Sequence, residues 1–249
     1  MNKRVVLVTG AALRIGACIA RAFHNAGFNV ALSYRHSEQA ARALVAELNS
    51  SRSASASCWQ ADLSDEHSVS ALGDAVLKEF GRLDILINNA SSFYPSKFGS
   101  STQTQWDDLI GSNLRGAYFL SQQLATELTL HQGSIVNLID IHADRALADH
   151  AIYTIAKAGL KAMTKSLAIE LAPQVRVNAV APGAILWPAS LENEQDPEVQ
   201  RAREELLAGI PLRNLGTAQD IADCVYFLAC EAHYMTGQTV KVDGGRSLR

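Results

Sequence analysis

The chain has 249 residues, 48% hydrophobic and 19% charged, with a formal net charge of −3. That composition excludes a disordered chain, and the scatter of Lys and Arg among Asp and Glu excludes a basic nucleic-acid or membrane-binding face. The longest apolar runs fall short of a membrane span, Met1-Asn2-Lys3-Arg4 leads straight into a strand-like segment, and Cys18, Cys58, Cys224 and Cys230 lack CxxC spacing, so the expectation is a cytoplasmic chain without a leader, its cysteines reduced and buried.

Val5-Val6-Leu7-Val8-Thr9 is an unbroken, β-branched apolar run, the pattern of a strand covered on both faces of a parallel sheet. A glycine-bearing turn follows, then a helix over 15–26 that Gly27 stops, a strand over 28–34, a helix over 37–48 and a strand over 56–60. Next come a helix over 64–80, a strand over 83–87, helices between 106 and 130, and a strand over 134–139. A long helix over 152–171, a strand over 175–180, a polar helical excursion over 191–208, a helix over 218–230 and a last strand over 239–242 complete the chain. Strands alternating with helices of this length predict right-handed βαβ units and a doubly wound parallel sheet. No linker or internal repeat divides the pattern, so residues 1–249 are expected to form one α/β, Rossmann-type domain. Ligands of such a sheet sit at the carboxyl ends of its strands, here just after Val8, Tyr34, Ile87, Ile139 and Val180.

At the first of these ends stands Thr9-Gly10-Ala11-Ala12-Leu13-Arg14-Ile15-Gly16. A dinucleotide turn needs glycines where backbone amides approach the pyrophosphate, and a helix N-terminus aimed at the negative charge. Arg14 is either a surface arginine of the first helical turn or, the favoured reading, a cation at a pyrophosphate within reach of an adjoining substrate. The second strand ends in Ser33-Tyr34-Arg35-His36-Ser37, with no acid, one guanidinium, one imidazole, and a hydroxyl placed to cap the next helix. An acid there would bind the ribose hydroxyls of NAD and repel a 2′-phosphate, so its absence beside an arginine selects NADPH.

Tyr153-Thr154-Ile155-Ala156-Lys157 puts a phenol and an ammonium on one helical face. A phenol normally keeps its proton until pH ~10. The neighbouring ammonium is expected to lower that pKa and make Tyr153 a usable acid/base.

These motifs, with Asp62-Leu63, Asn88-Asn89-Ala90, Val177-Asn178-Ala179-Val180-Ala181-Pro182-Gly183, Pro211-Leu212-Arg213, Asp220-Ile221, Thr236-Gly237 and Val242-Asp243-Gly244-Gly245, resemble the short-chain dehydrogenases/reductases along nearly the whole chain. The resemblance implies cofactor contacts from Gly10, Arg14, Ile15, Gly16, Tyr34, Arg35, His36, Ser37, Asp62, Leu63, Asn89, Ala90, Ser91, Tyr153, Lys157, Pro182 and Gly183. It also implies that Asn113, at the start of a helix, supports the lysine through water. The chain departs from the family's TGxxxGxG at Arg14 and from its NNAG at Ser91.

The informative departure is Asp140, thirteen residues before Tyr153, where most of the family carries a serine that donates to a substrate carbonyl. A carboxylate would repel the charge developing on a ketone oxygen, whereas beside an N-heterocycle it accepts N–H bonds and helps protonate a reduced C=N. Its alternative is a solvated loop acid. Asp140, Arg14, the Tyr34–Ser37 stretch and Asn88-Asn89-Ala90-Ser91-Ser92-Phe93-Tyr94-Pro95 together resemble the pteridine reductases, without the long insertions of the protozoan members. That narrower resemblance implies substrate contacts from Arg14, Ser91, Phe93, Asp140 and Tyr153, with Phe93 stacking a pterin against the nicotinamide. Phe93 could instead be a hydrophobic plug. The runner-up, a carbonyl reductase acting on a ketoacyl thioester, sugar or steroid, predicts a serine at 140; a redox-sensing binding protein without turnover would be expected to lack Tyr153 or Lys157.

Ala184-Ile185 removes a serine that the pteridine reductases offer to cofactor and ligand. The substrate loop, about 186–210, with Leu186-Trp187-Pro188 and an acidic stretch to Arg201, does not disclose side-chain specificity; Trp187 either walls the pocket or packs. His142, Asp144, Asp149 and His150 are assigned to a polar loop over the pocket, with no metal expected. The helices over 113–130 and 152–171 carry small and apolar residues on more faces than one sheet covers, including Ala151, Ala158, Ala162 and Ala168, which predicts a second partner; the family resemblance, whose tetramers pair these helices, implies a homotetramer.

Overall fold

The structure, a computed structural model, describes residues 3–187, 191, 193 and 195–248. Met1 and Asn2, and within the substrate loop Pro188, Glu192 and Glu194, lie outside the described residues. The first strand, β1 (Val5–Val8), is the pivot of the sheet, pairing in parallel with β2 (Asn29–Tyr34) on one side and β4 (Ile85–Asn88) on the other. With β3 (Ala56–Gln60), β5 (Ser134–Leu138), β6 (Arg176–Pro182) and β7 (Thr239–Val242) the order is β3-β2-β1-β4-β5-β6-β7, parallel throughout.

The apolar run of β1 has the reason its sequence suggests. Val6 and Val8 face the cluster built with Ile19, Phe23 and Val225, from α1 (Arg14–Asn25) and α8 (Ala218–Cys230). Val5 and Leu7 face the opposite cluster, with Leu72, Val76, Leu120 and Leu124 from α3 (Glu66–Phe80) and α5 (Gly116–Leu130). All four strand residues are fully buried, and each contributes roughly 1.5–3 kcal/mol of burial. The remaining helices are α2 (Glu38–Ser51), α4 (Gln103–Ile110), α6 (Ala151–Glu170) and α7 (Pro197–Ala208).

Between β1 and β4 the winding reverses, and the crevice outside their carboxyl ends is where this topology receives a ligand. Three expectations change in detail. Asn113 is not at a helix start: it lies in a π-helical turn, Gly111–Arg115, that joins α4 to α5. Ser37 occupies the N-cap position of α2 but makes no side-chain capping bond. The four cysteines are free and half-buried rather than buried. No helix among the described residues is long and apolar enough to cross a membrane.

Candidate active site

The turn after β1 needs its glycines for space. Gly10 has φ +62°, and a Cβ there would lie 2.8 Å from the Ala90 Cα; one on Gly16 would meet Gly10 O and Asn89 Nδ2 at 2.6 Å. Asn89 holds the turn by donating through Nδ2 to Thr9 O at 2.8 Å and Gly10 O at 3.1 Å. Arg14, at φ +52°, takes the left-handed conformation that a glycine would adopt without strain. The first turn of α1 carries no side-chain cap, since Leu13 holds the N-cap position; α2 and α6 are uncapped as well, whereas α3, α4, α7 and α8 are capped by Asp65, Thr102, Asp196 and Thr217. What distinguishes α1 is that its leading residues, Arg14, Ile15 and Gly16, line a cavity where their amides can meet a bound acceptor.

Two adjoining cavities run along the carboxyl edge. One, of about 370 Å³, is lined by Gly10, Arg14, Ile15, Gly16, Tyr34, Arg35, Asp62, Leu63, Asn89, Ala90 and Ser91, which is most of the predicted cofactor set. His36 and Ser37 are not in its lining, and His36 is exposed. Arg35 is already engaged: its Nε lies 2.9 Å from Asp62 and its Nη1 donates to Asp108 at 2.8 Å. Asp62 is also bonded by Ser64, and these contacts, outweighing its burial, keep it below the usual carboxylate range.

The second cavity, of about 400 Å³, shares Ile15, Asn89, Ser91 and Leu186 with the first and brings in Phe93, Asp140, Tyr153, Lys157, Pro182 and Gly183. Asp140 caps a 3-10 turn, Ile141–Ala143, through Oδ1, which accepts from the His142 amide at 2.8 Å. Its other oxygen accepts the Tyr153 hydroxyl at 2.8 Å. Asp140 is therefore not a solvated loop acid; it is in direct contact with the tyrosine. Lys157 is 2% exposed, and its Nζ donates to Leu138 O at 3.0 Å.

This arrangement corrects the expected pKa logic. Burial first, then the Asp140 carboxylate and the hydrogen bond to it, raise the Tyr153 pKa well above the ordinary tyrosine range. Burial also pulls the Lys157 ammonium down to about 8, with Asp140 opposing the shift. The lysine sits 5.7 Å from the Tyr153 ring centre and does not bond the hydroxyl. Tyr153 is thus held protonated at neutral pH, its hydroxyl directed at Asp140.

Phe93 is 57% exposed at the mouth of the cavity, which excludes the plug reading. Its ring stacks on His150 at 4.7 Å and 13° and meets Tyr153 edge-on at 4.8 Å. Asn113 lines neither cavity and acts from behind. Its Nδ2 donates to Ser92 O and Leu109 O at 2.9 Å, and its Oδ1 accepts from Ser91 Oγ at 2.6 Å. In this structure it steadies the Ser91 loop, with no direct contact to Lys157. His142, Asp144, Asp149 and His150 are not gathered: Asp144 pairs with Lys161 and Lys241, His142 bonds Arg145 O, and His150 lies under Phe93.

Asp108, the partner of Arg35, and Leu147 and Arg246 in the far wall of the second cavity are absent from the sequence expectations, whereas Leu206 in that wall belongs to the expected substrate loop. Trp187 lines neither cavity; it packs under the Arg203 guanidinium, 4.5 Å away.

A family model described as enoyl-(acyl carrier protein) reductase matches residues 10–247. The chain belongs to the short-chain dehydrogenase/reductase family. It is 38% identical to pteridine reductase 1 of Leishmania tarentolae, over 98% of this chain and 96% of the relative. It is equally identical, 38%, to 3beta-hydroxysteroid dehydrogenase 1 of Eggerthella lenta, over 100% and 95% of the two chains. A 3-oxoacyl-(acyl-carrier-protein) reductase of Staphylococcus aureus matches at 38%, over 96% of both chains. As a short-chain dehydrogenase/reductase the chain is an oxidoreductase, of a family that uses nicotinamide cofactors. Its residues fit such a group: the uncapped α1 amides suit a pyrophosphate, and the connected cavities run from Arg35 to Tyr153.

Proposed function

We propose that this short-chain dehydrogenase/reductase is an NADPH-dependent pteridine reductase, reducing a pterin ring C=N. The observation that carries the reading is the contact of the Tyr153 hydroxyl with a carboxylate, Asp140, at 2.8 Å, in place of a serine hydroxyl. NADPH, when bound, supplies a hydride for the carbon of that bond. Arg14, Arg35 and the α1 amides suit its phosphates; Tyr153 and Lys157 suit its ribose. Asp140 accepts ring or amino N–H groups and orients the heterocycle, while Tyr153 gives its proton to the ring nitrogen as the hydride adds to carbon, the tyrosinate regaining a proton from solvent before the next turnover. Phe93 offers a flat face to the heterocycle at the mouth of the cavity. Ser91, itself held by Asn113, gives a hydroxyl to the same cavity.

The steroid and 3-oxoacyl relatives are as similar as the pteridine reductase, so carbonyl reduction is the reading to be tested against it. The test is NADPH oxidation by the purified protein with dihydropterins, biopterin, dihydrofolate, a ketoacyl thioester and a ketosteroid. Turnover is expected on the pterins, and turnover on the thioester or steroid alone would replace this reading with carbonyl reduction.

We also propose that the protein works as a homotetramer in the cytoplasm. On α5 and α6, Tyr118, Phe119, Ile155 and Ile169 are exposed apolar side chains, a face that a second copy would cover. Sedimentation should give four copies at micromolar concentration, and a monomer there would contradict the proposal.

A further inference from the structure

The Arg35 guanidinium lies between two carboxylates: Nη1 donates to Asp108 at 2.8 Å, while Nε is 2.9 Å from Asp62 as an ion pair without hydrogen-bonding geometry. Five N–H donors lie in its rigid plane, and among the described residues Nη2 makes no hydrogen bond. Asp108 is itself fixed. It stands in the last turn of α4, where its carbonyl accepts from Ser112 Oγ at 2.7 Å, and a capping box between Thr102 and Gln105 pins the start of that helix. Its second carboxylate oxygen accepts the Tyr94 hydroxyl at 2.9 Å. Burial, then the hydrogen bond to Asp108 and its charge, push the Tyr94 phenol up to about 12, so the hydroxyl keeps its proton at neutral pH. Tyr94 is next in sequence to Phe93, which lines the substrate cavity.

Two carboxylates around one guanidinium leave a net negative cluster, an unfavourable neighbour for a phosphate by charge alone. The arrangement makes sense through orientation: a long, partly exposed arginine loses much of its rotamer freedom in advance, with one edge left open. We propose that Asp108 is a positioning residue for a 2′-phosphorylated cofactor, fixing Arg35 so that its Nη2 donors face the phosphate, with Tyr94 tying that arrangement to the Phe93 loop. This inference rests on the NADPH reading above.

The experiment is fluorescence titration of NADPH and NADH into the parent, Asp108→Ala, Asp108→Asn, Arg35→Ala and the Arg35→Ala/Asp108→Ala double variant. Asp108→Ala should weaken NADPH about 2- to 10-fold, leaving NADH within about twofold as the control for an intact fold. Asp108→Asn keeps an acceptor for Nη1 and should retain most of the NADPH affinity. In the Arg35→Ala background the sign should reverse: removing Asp108 takes a bare carboxylate away from the phosphate and should tighten NADPH about 2- to 3-fold. If the parent prefers NADPH but Asp108→Ala changes nothing, weakens both cofactors alike, or weakens NADPH equally in both backgrounds, the inference is wrong and the NADPH reading survives. A parent that binds NADH as tightly as NADPH overturns that reading, and the inference with it.

Discussion

At the cofactor end Arg35 is partly exposed and meets two carboxylates within 2.9 Å. At the catalytic end Lys157 is wholly buried, with one carbonyl acceptor at 3.0 Å and, among the described residues, no ion pair. The first cation is neutralised and aimed before any ligand arrives. The second is held by burial in an environment that disfavours its charge, in the lining of the cavity it shares with Tyr153. The tyrosines follow the same division: Tyr94 braces Asp108 from outside the first cavity, whereas Tyr153 is buried in the wall of the second.

The contrast breaks most visibly at Tyr153 and Lys157. Tyr153→Phe removes the proton donor and should lower turnover by roughly 10²- to 10⁴-fold with cofactor affinity within a few-fold. Lys157→Met should abolish most activity yet raise the unfolding free energy near pH 7, net by about 2 kcal/mol, because a disfavoured ammonium leaves and one carbonyl loses its donor. The pH dependence has a definite sign. With the folded pKa near 8 and the ordinary value at 10.5, the unfolded chain binds more protons between them, so this lysine makes stability rise with pH across that window. Below pH 8 its penalty is fully present. Chemical denaturation of parent and Lys157→Met from pH 7 to 10 isolates the effect as a difference, because the half-buried thiols cancel.

Arg35→Ala comes next, with NADPH binding weakened roughly 10- to 100-fold and NADH little changed, as read by titration. Equal losses for both cofactors would place Arg35 in the scaffold rather than at a phosphate. Phe93→Ala should raise the KM for a dihydropterin by about 3- to 10-fold, the scale of one aromatic contact, with NADPH affinity unchanged. The smallest effect is expected at Arg14. A glycine there relieves about 1 kcal/mol of left-handed strain and loses about as much to chain entropy, so Tm should barely move while NADPH binding falls a few-fold.

The alternation of strands and helices was legible because β1 and its neighbours are covered on both faces and read as unbroken apolar runs. Tyr153 and Lys157 were legible because four residues bring two side chains to one helical face. The sign of the Tyr153 shift was not: it depends on how deeply α6 packs and on which oxygen the hydroxyl meets, neither of which is local. The π-turn around Asn113 escaped because one extra residue per turn leaves no mark on composition. Asp108 escaped because it is 73 positions from the arginine it holds. Of the substrate loop, only the lining by Leu186 and Leu206 emerged.

Asp140 is the residue on which pterin reduction is proposed to depend, and the most direct measurement compares the parent with Asp140→Ser on a dihydropterin and on a ketoacyl thioester under the same NADPH concentration. The proposed mechanism predicts that pterin turnover falls by about 10²-fold or more, that NADPH affinity stays within about twofold, and that any gain appears on the carbonyl substrate. Full dihydropterin activity in Asp140→Ser would contradict it, since the carboxylate would then have no part in protonating or orienting the ring.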